Sequence, residues 1–116
     1  MSIKVLIADD HALLRQGIKG VLDFEDDIEV VGETEDGQDT LAKTLVLQPD
    51  ILLLDLNMPG LSGMEVCRQL LAARSKAKII ALTIHDNDNY VVELLKNGAK
   101  GYLLKGVEPG VLLEAV

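Results

Sequence analysis

Short apolar runs alternate with longer amphipathic stretches along this chain of 116 residues. Five of the runs have the length and composition of strands, roughly Lys4 to Ala8, Ile28 to Gly32, Ile51 to Leu54, Lys78 to Leu82 and Gly101 to Leu104. Runs such as "VLIA" and "ILLL" have no polar alternation, so we expect helices to cover both faces of their sheet. The more polar "IEVVGE" indicates an edge strand. The pattern predicts an α/β fold of repeated βα units around a parallel sheet.

The segments between the strands have the spacing of amphipathic helices. Apolar residues share one face in the first and the third of them: Leu14, Ile18, Val21 and Leu22, and then Met64, Cys67, Leu70 and Leu71. Ser62 and Glu65 match a capping box. Gly98 suits a helix end, and Pro109 suits the first turn of a last helix. That helix has only just begun at Val116, which favours a longer parent protein.

Composition and charge narrow the class of protein. A chain of this length with 48% hydrophobic residues is expected to form one domain over residues 1–116. The single Cys67 excludes an internal disulfide, and the longest apolar run is too short to span a membrane, so we expect a cytoplasmic protein. A formal net charge of −8 with scattered lysine and arginine argues against nucleic-acid binding by this chain itself.

Side chains able to do chemistry follow four of the five predicted strands. Asp9 and Asp10 come after the first strand, Asp55 after the third, Thr83 after the fourth and Lys105 after the fifth. In an open α/β sheet the ligand lies outside the carboxyl ends of the strands, where the strand order reverses. We therefore expect these side chains to lie together at one edge of the sheet.

Three converging carboxylates repel one another unless a cation joins them. Oxygen ligands without histidine or cysteine suit Mg²⁺, which commonly binds one or two carboxylates beside a phosphate. Lys105 and Thr83 can hold an oxyanion next to Asp55. His11 is expected to flank the site and Cys67 to be a small buried hydrophobe, because no second His or Cys stands at metal-ligand spacing. The residues therefore predict a magnesium site that could hold a tetrahedral oxyanion next to Asp55.

The motifs "IADD", "LLLDLNMPG", "ALT" and "GYLLK", in this order and spacing, resemble the receiver domain of two-component response regulators over essentially the whole chain. "IHDNDNYV" and "GYLLKGVEPGVLLEAV" resemble the NarL/FixJ (LuxR-type) group, whose members are usually transcription regulators with a C-terminal helix-turn-helix domain. The resemblance implies a doubly wound, flavodoxin-like (CheY-like) (βα)5 fold with a five-stranded parallel sheet of order 2-1-3-4-5 and a truncated last helix. Any helix-turn-helix domain would lie outside this chain.

The resemblance also assigns roles to the matching positions. Asp55 would be the phosphoacceptor. Asp9, Asp10 and the backbone carbonyl of Asn57 would complete the Mg²⁺ site with it, directly or through water.

Three further positions match residues that act on the phosphoryl group or respond to it. Thr83 and Lys105 would bind the phosphoryl oxygens and so take part in the transfer. Tyr102, three residues before that lysine, would be the aromatic switch residue that pairs with Thr83. One position departs from the family pattern, because Gly106 follows the lysine where many receivers have proline.

These roles imply a domain that accepts a phosphoryl group from a sensor histidine kinase onto Asp55 and changes its surface in response. It would be a switch and not an enzyme, catalysing only its own phosphorylation and dephosphorylation. We expect the domain to form a homodimer on phosphorylation. We expect it to contact DNA only through an output domain that is absent from this chain, and not to contact membranes.

Two other classes of protein share parts of this pattern. Mg²⁺-dependent phosphohydrolases or phosphotransferases with an aspartyl-phosphate intermediate generally have a second aspartate two residues after the nucleophile. Here that position is Asn57, which cannot act as a general acid or base. A flavin-binding module is the other alternative, but Asp9 and Asp10 would repel the phosphate of FMN. Turnover of small phosphomonoesters or a flavin spectrum would favour these alternatives.

Overall fold

The computed structural model describes residues 2–56, 58, 60–83, 92–93 and 95–104. Its strands are β1 to β5 in chain order, at Ile3–Ala8, Ile28–Thr34, Ile51–Asp55, Lys78–Thr83 and Gly101–Leu104. Three helices, α1 to α3, lie at Ala12–Asp23, Gly37–Leu47 and Gly63–Ala72. Residues 92–93 and 95–96 are also helical. Within the described residues, no helix is long and apolar enough to cross a membrane.

The strands form one parallel sheet in the order β2-β1-β3-β4-β5. The predicted parallel α/β fold is confirmed, as is the strand order along β2-β1-β3-β4 with β2 at an edge. Gly101–Leu104 pair in parallel with the second half of β4. The order reverses between β1 and β3, so the crevice expected of this fold class lies between these two strands.

Alternate residues of the central strands feed two separate cores, one on each face of the sheet. On one face, Leu6, Leu52 and Leu54 pack with Val66 and Cys67 of α3. On the other face, the apolar residues of the same strands pack with α1: Val5, Ile7, Ile51, Leu53, Ile18 and Leu22. The prediction of helices on both faces is confirmed.

The predicted helix faces are confirmed with one exception. Leu14 and Val21 pack against the buried Ile18 and Leu22, as their spacing indicated. In α3, Leu71 is 54% exposed, so its prediction as part of the inward face was wrong. Successive helix residues are rotated by about 100°. Leu71 therefore lies about 100° around the helix from the buried Leu70, at the margin of the buried face of α3.

Local capping explains where the helices begin and end. The Ser62 hydroxyl accepts a hydrogen bond from the Glu65 backbone N–H at 3.2 Å, as a cap at this position should. The Asp36 carboxylate caps α2 in the same way. Gly98 has a φ of 102°, a left-handed conformation that suits glycine and confirms the predicted helix end. Pro109 and the expected last helix lie outside the described residues.

Candidate functional site

Two aspartates stand at the carboxyl ends of neighbouring strands. Asp9 directly follows β1 and Asp55 is the last residue of β3, and Ala8 pairs with Leu54 just before them. Both aspartates are 0% exposed. Their burial follows from the apolar runs that precede them, because these runs carry the chain through the middle of the sheet to its edge. The predicted convergence of strand-end carboxylates is therefore observed here.

Asp10 and His11 complete a compact group around the two buried aspartates. One carboxylate oxygen from each of Asp9, Asp10 and Asp55 and a ring nitrogen of His11 all lie within 4.8 Å of one another. The His11 Nδ1 atom is 3.3 Å from oxygens of both Asp9 and Asp10. The Asp10 and His11 side chains are 32% and 65% exposed, so the group opens to solvent on their side.

Asp9 is held by hydrogen bonds at three points. Its Oδ1 atom accepts from the His11 backbone N–H at 2.8 Å. Its own N–H donates to the Thr34 carbonyl at 3.0 Å, and its carbonyl accepts from Arg15 Nη1 at 2.6 Å. β2 and α1 therefore restrain the Asp9 backbone, and the His11 N–H restrains the direction of its carboxylate.

Arg15 was missed by the sequence reasoning, although it connects three parts of the site. Its guanidinium also donates to Glu33 and Glu35, each at 3.0 Å, and its side chain is only 11% exposed. A weak signal existed, because Arg15 is the first arginine after the acidic pair and lies at the start of the first predicted helix. Its partners could not be deduced from spacing, since they lie 18 and 20 residues further along the chain.

Leu61, in the loop after Asp55, is in close contact with the start of α2. A Cβ added to Gly37 would lie 1.8 Å from the Leu61 carbonyl oxygen, so only glycine allows this approach of the helix to the loop. The Leu61 N–H also donates to Gln38 Oε1 at 3.0 Å. Gly60 has a φ of 79°, a left-handed backbone conformation that favours glycine in a turn. Leu61, near the end of the β3–α3 loop, is therefore held close to the start of α2.

The remaining predicted site residues are described in part or not at all. Thr83 is the last residue of β4, and the residue before it, Leu82, pairs with Asp55. Tyr102 is on β5, where it pairs with Ala81. The side chains of Thr83 and Tyr102, and the whole of Asn57 and Lys105, lie outside what the structure describes, so their roles stay predictions.

The acidic group formed by Asp9, Asp10 and Asp55 suits a divalent cation. Mg²⁺ binds oxygen at about 2.0–2.1 Å, so two oxygens on opposite sides of one ion are about 4 Å apart. The carboxylate oxygens observed here lie within 4.8 Å of one another, so small movements would bring them to that distance. All three carboxylates are hard oxygen donors, as Mg²⁺ prefers. His11 flanks the site as predicted, but the position of its ring nitrogen within the same group was not foreseen.

Cys67, in contrast, takes no part in this chemistry. It is 0% exposed within the core beneath α3. Burial raises the pKa of its thiol to about 11, so the thiol stays protonated and unreactive near neutral pH. The prediction of a small buried hydrophobe at this position is confirmed.

Comparison with known proteins agrees with the geometry. Residues 5–116 match the family model described as "Response regulator receiver domain". The chain is 42% identical over 98% of its length to the transcriptional regulatory protein DegU of Brevibacillus brevis, covering 48% of that protein. It is 41% identical over 97% of its length to the nitrate/nitrite response regulator protein NarL of Escherichia coli, covering 52% of that protein. The chain thus spans about half the length of these relatives.

Solved structures give the same answer. The signal receiver domain of a response regulator NarL from Mycobacterium tuberculosis superimposes with a TM-score of 0.95 at 32% identity, covering 98% of this chain and 92% of that one. The isolated receiver domain of RcsB from Salmonella enterica, solved with a phosphomimetic beryllofluoride, gives a TM-score of 0.89 at 30% identity, covering 99% and 86%. This chain belongs to the receiver domain family of two-component response regulators.

Proposed function

We propose that Asp55 is the phosphoacceptor of this receiver domain. The observation that carries the proposal is the placement of Asp55, which is 0% exposed at the end of β3 with oxygens of Asp9 and Asp10 within 4.8 Å. Three carboxylates that meet at one edge of a sheet repel one another, and a cation bound between them lowers this repulsion. The RcsB structure with a phosphoryl analogue supports the same reading by similarity.

Asp9, Asp10, Asp55 and the carbonyl of Asn57 would hold one Mg²⁺. When bound, this ion supplies positive charge that offsets the negative charge of an in-line phosphoryl transfer. Asp9 and Asp55 enter the site from neighbouring strands, and Asp10 closes it from the solvent side. The hydrogen bonds on Asp9 hold one of these ligands in place before a cation arrives.

In the transfer itself, a carboxylate oxygen of Asp55 attacks the phosphorus atom and forms the acyl phosphate. The bond between phosphorus and the leaving group, a histidine nitrogen of the kinase, breaks as the new bond forms. Lys105 and Thr83 would bind the phosphoryl oxygens through charge and a hydroxyl donor. Water attacking the same phosphorus restores the Asp55 carboxylate and resets the domain.

Phosphorylation would be communicated through Thr83 and Tyr102. These residues stand on adjacent strands, β4 and β5. A Thr83 hydroxyl drawn toward a phosphoryl oxygen would leave space for the Tyr102 ring to turn inward. Moving a population from 1:99 to 99:1 needs about 5.5 kcal/mol, while one charge-assisted hydrogen bond supplies roughly 1.5–3 kcal/mol. Thr83, Lys105 and Mg²⁺ must therefore contribute together, and Thr83→Ala should switch only partly.

The wider setting is also a proposal, supported by the relatives. Residues 1–116 would form a single (βα)5 receiver domain with β5 at one edge of its five-stranded sheet and a truncated last helix, in a cytoplasmic protein. A sensor histidine kinase would supply the phosphoryl group, and the domain would form a homodimer once phosphorylated. The names of DegU and NarL describe regulators, and each relative is about twice as long as the matched region. DNA would be bound through an output domain beyond it, controlling transcription.

Acetyl phosphate with Mg²⁺ provides the test, with phosphoryl uptake followed by intact mass. Wild type and Asp50→Asn, which alters an aspartate at the opposite end of β3, should both take up one acid-stable, base-labile group. Asp55→Asn should take up none, and chelating the Mg²⁺ should abolish uptake by wild type. Uptake by Asp55→Asn at the wild-type level would refute the assignment.

A further inference from the structure

Arg15 joins α1 to the carboxyl ends of β1 and β2 with a single, partly buried guanidinium. Nη1 donates to the Asp9 carbonyl at 2.6 Å, Nε donates to Glu33 at 3.0 Å, and Nη2 donates to Glu35 at 3.0 Å. The side chain is 11% exposed. A guanidinium group is a rigid, planar fork of N–H donors, and one that is bonded to three separate acceptors can adopt few other positions. The three groups that it contacts are therefore fixed relative to one another.

The contact with Asp9 is made to its backbone and not to its carboxylate. The N–H of Asp9 is already bonded to the Thr34 carbonyl of β2. Arg15 holds the opposite side of the same residue, and Glu33 and Glu35 anchor Arg15 to β2 and the residue after it. The edge strand thus restrains both polar backbone groups of Asp9, one directly and one through the guanidinium.

We infer that Arg15 is a positioning residue for the cation site, holding the Asp9 carboxylate in the direction that a shared Mg²⁺ requires. The inference rests on the proposed function, in which Asp9 is a metal ligand. Groups that orient a metal ligand without touching the metal typically change its affinity by about 10–100-fold when they are removed. Arg15 would have an effect of this kind, because it bonds to the backbone of the metal ligand Asp9 and not to the metal.

The sign of the effect separates positioning from simple electrostatics. A cation beside three carboxylates repels Mg²⁺, so removal of its charge alone should tighten binding. Loss of the hydrogen bond to the Asp9 carbonyl should weaken binding, because the backbone that carries the carboxylate is then held less firmly. Arg15→Met removes both the charge and the fork, whereas Arg15→Lys keeps the charge and loses the fork geometry.

The chain offers a matched control in Arg68 of α3. Arg68 also bonds a carboxylate, that of Glu65 three residues earlier, but its side chain is 61% exposed. Its described hydrogen bonds all go to Glu65, away from the acidic group. Arg68→Met therefore removes an arginine and an ion pair without disturbing Asp9.

The experiment is calorimetric titration of each folded variant with MgCl₂, with unfolding in metal-free buffer followed in parallel. Arg15→Met and Arg15→Lys should each bind Mg²⁺ about tenfold more weakly than wild type, and Arg68→Met should bind as wild type does. The amide NMR signal of His11, which donates to the Asp9 carboxylate, should move in both Arg15 variants before metal is added. A role in stability alone would lower unfolding stability and leave the Mg²⁺ affinity of the folded protein unchanged.

Each other outcome is decisive. If wild type does not bind Mg²⁺ at all, the proposed function fails and the inference falls with it. If wild type binds but Arg15→Met binds equally or more tightly, only the role of Arg15 is overturned. Wild-type affinity in Arg15→Lys would likewise overturn positioning by the fork, and this variant serves alone if Arg15→Met does not fold.

Discussion

Two aspartates bracket the third strand, and they have opposite surroundings. Asp50 immediately precedes β3 at the amino edge of the sheet, where it is exposed and its carboxylate accepts from the Lys4 N–H at 2.8 Å. Its backbone bonds to Lys4 and Lys78, which begin or nearly begin the two neighbouring strands. Asp55 ends the same strand, fully buried, with carboxylates of Asp9 and Asp10 close by.

The comparison shows what separates a structural carboxylate from a functional one. The charge of Asp50 is offset by water and a backbone donor, so its presence stabilises the start of the sheet. Asp55, in contrast, is buried close to the carboxylates of Asp9 and Asp10. Their like charges repel its own, and a bound cation would lower this repulsion. The residue type is the same in the two cases, so the end of the strand at which each aspartate lies, and the surroundings there, decide the role.

The largest expected effect is the response to Mg²⁺, which should be confined to one end of β3. At 100 times its dissociation constant, a ligand that binds only the folded state adds about 2.7 kcal/mol to the free energy of unfolding. Wild type and Asp50→Ala should both show this gain in urea denaturation, and Asp10→Asn should show much less. Equal denaturation curves for wild type with and without saturating Mg²⁺ would contradict the account.

Asp55→Asn should make the metal-free domain more stable. Carboxylate oxygens of Asp9 and Asp55 lie within 4.8 Å of each other. Two unit charges at that limiting distance repel by about 3 kcal/mol at an effective dielectric constant of about 20, and other interactions of Asp9 and Asp55 offset part of this. We expect the free energy of unfolding without metal to rise by about 1–3 kcal/mol. A substitution that removes a buried polar contact usually destabilises, so a fall in stability would show that Asp55 is structural like Asp50.

Asp50→Ala should have the opposite and smaller effect. It removes the hydrogen bond from the Lys4 N–H at an exposed position, which should lower the free energy of unfolding by about 1 kcal/mol. The loss should be the same with and without Mg²⁺, since Asp50 lies at the far end of the strand. A loss that depends on Mg²⁺ would show that the two ends of β3 are coupled.

Cys67 offers the smallest expected change and checks that the variants keep their fold. It lies in the same core as Leu52 and Leu54 of β3. The pKa of its thiol is raised to about 11 by burial, against about 8.5 for a free thiol. Stability from this protonated thiol is complete at pH values below the unfolded pKa and is lost as pH rises toward the folded one.

Alkylation at about pH 8 measures this protection directly. Folded wild type, Asp50→Ala and Asp55→Asn should all react slowly with iodoacetamide, and the unfolded chain should react fast. Rapid alkylation of Asp55→Asn alone would mean that its lost chemistry reflects a disturbed core and not a missing acceptor.

The sequence predicted much of this arrangement because local patterns determined it. The apolar run Ile51–Leu54 predicted a buried strand, and a carboxylate directly after such a run has few positions except the sheet edge. The same reasoning placed Asp9. The apolar pattern predicted that β2 ends at Gly32. In the structure β2 continues to Thr34, because Glu33 and Thr34 still pair with Ile7 and Ala8 of β1.

What the sequence did not predict depends on contacts between distant segments. Arg15 reaches Glu33 and Glu35 only because α1 packs beside the end of β2, and helix periodicity says nothing about that neighbour. Leu71 fits the spacing of a buried face, yet the orientation of α3 on the sheet leaves it exposed. Packing between elements decides which side chains are buried and which distant residues meet. The hydrophobic pattern within one element carries no information about that packing.

The central claim is that the carboxyl ends of β1 and β3 share one divalent cation. Crystals grown with MnCl₂, whose ion takes the same oxygen ligands as Mg²⁺, would locate it by anomalous diffraction. The account predicts one strong peak bounded by carboxylate oxygens of Asp9, Asp10 and Asp55. A peak among the other acidic residues near the end of β2, such as Glu33, Glu35 and Asp39, with none at Asp55, would contradict it.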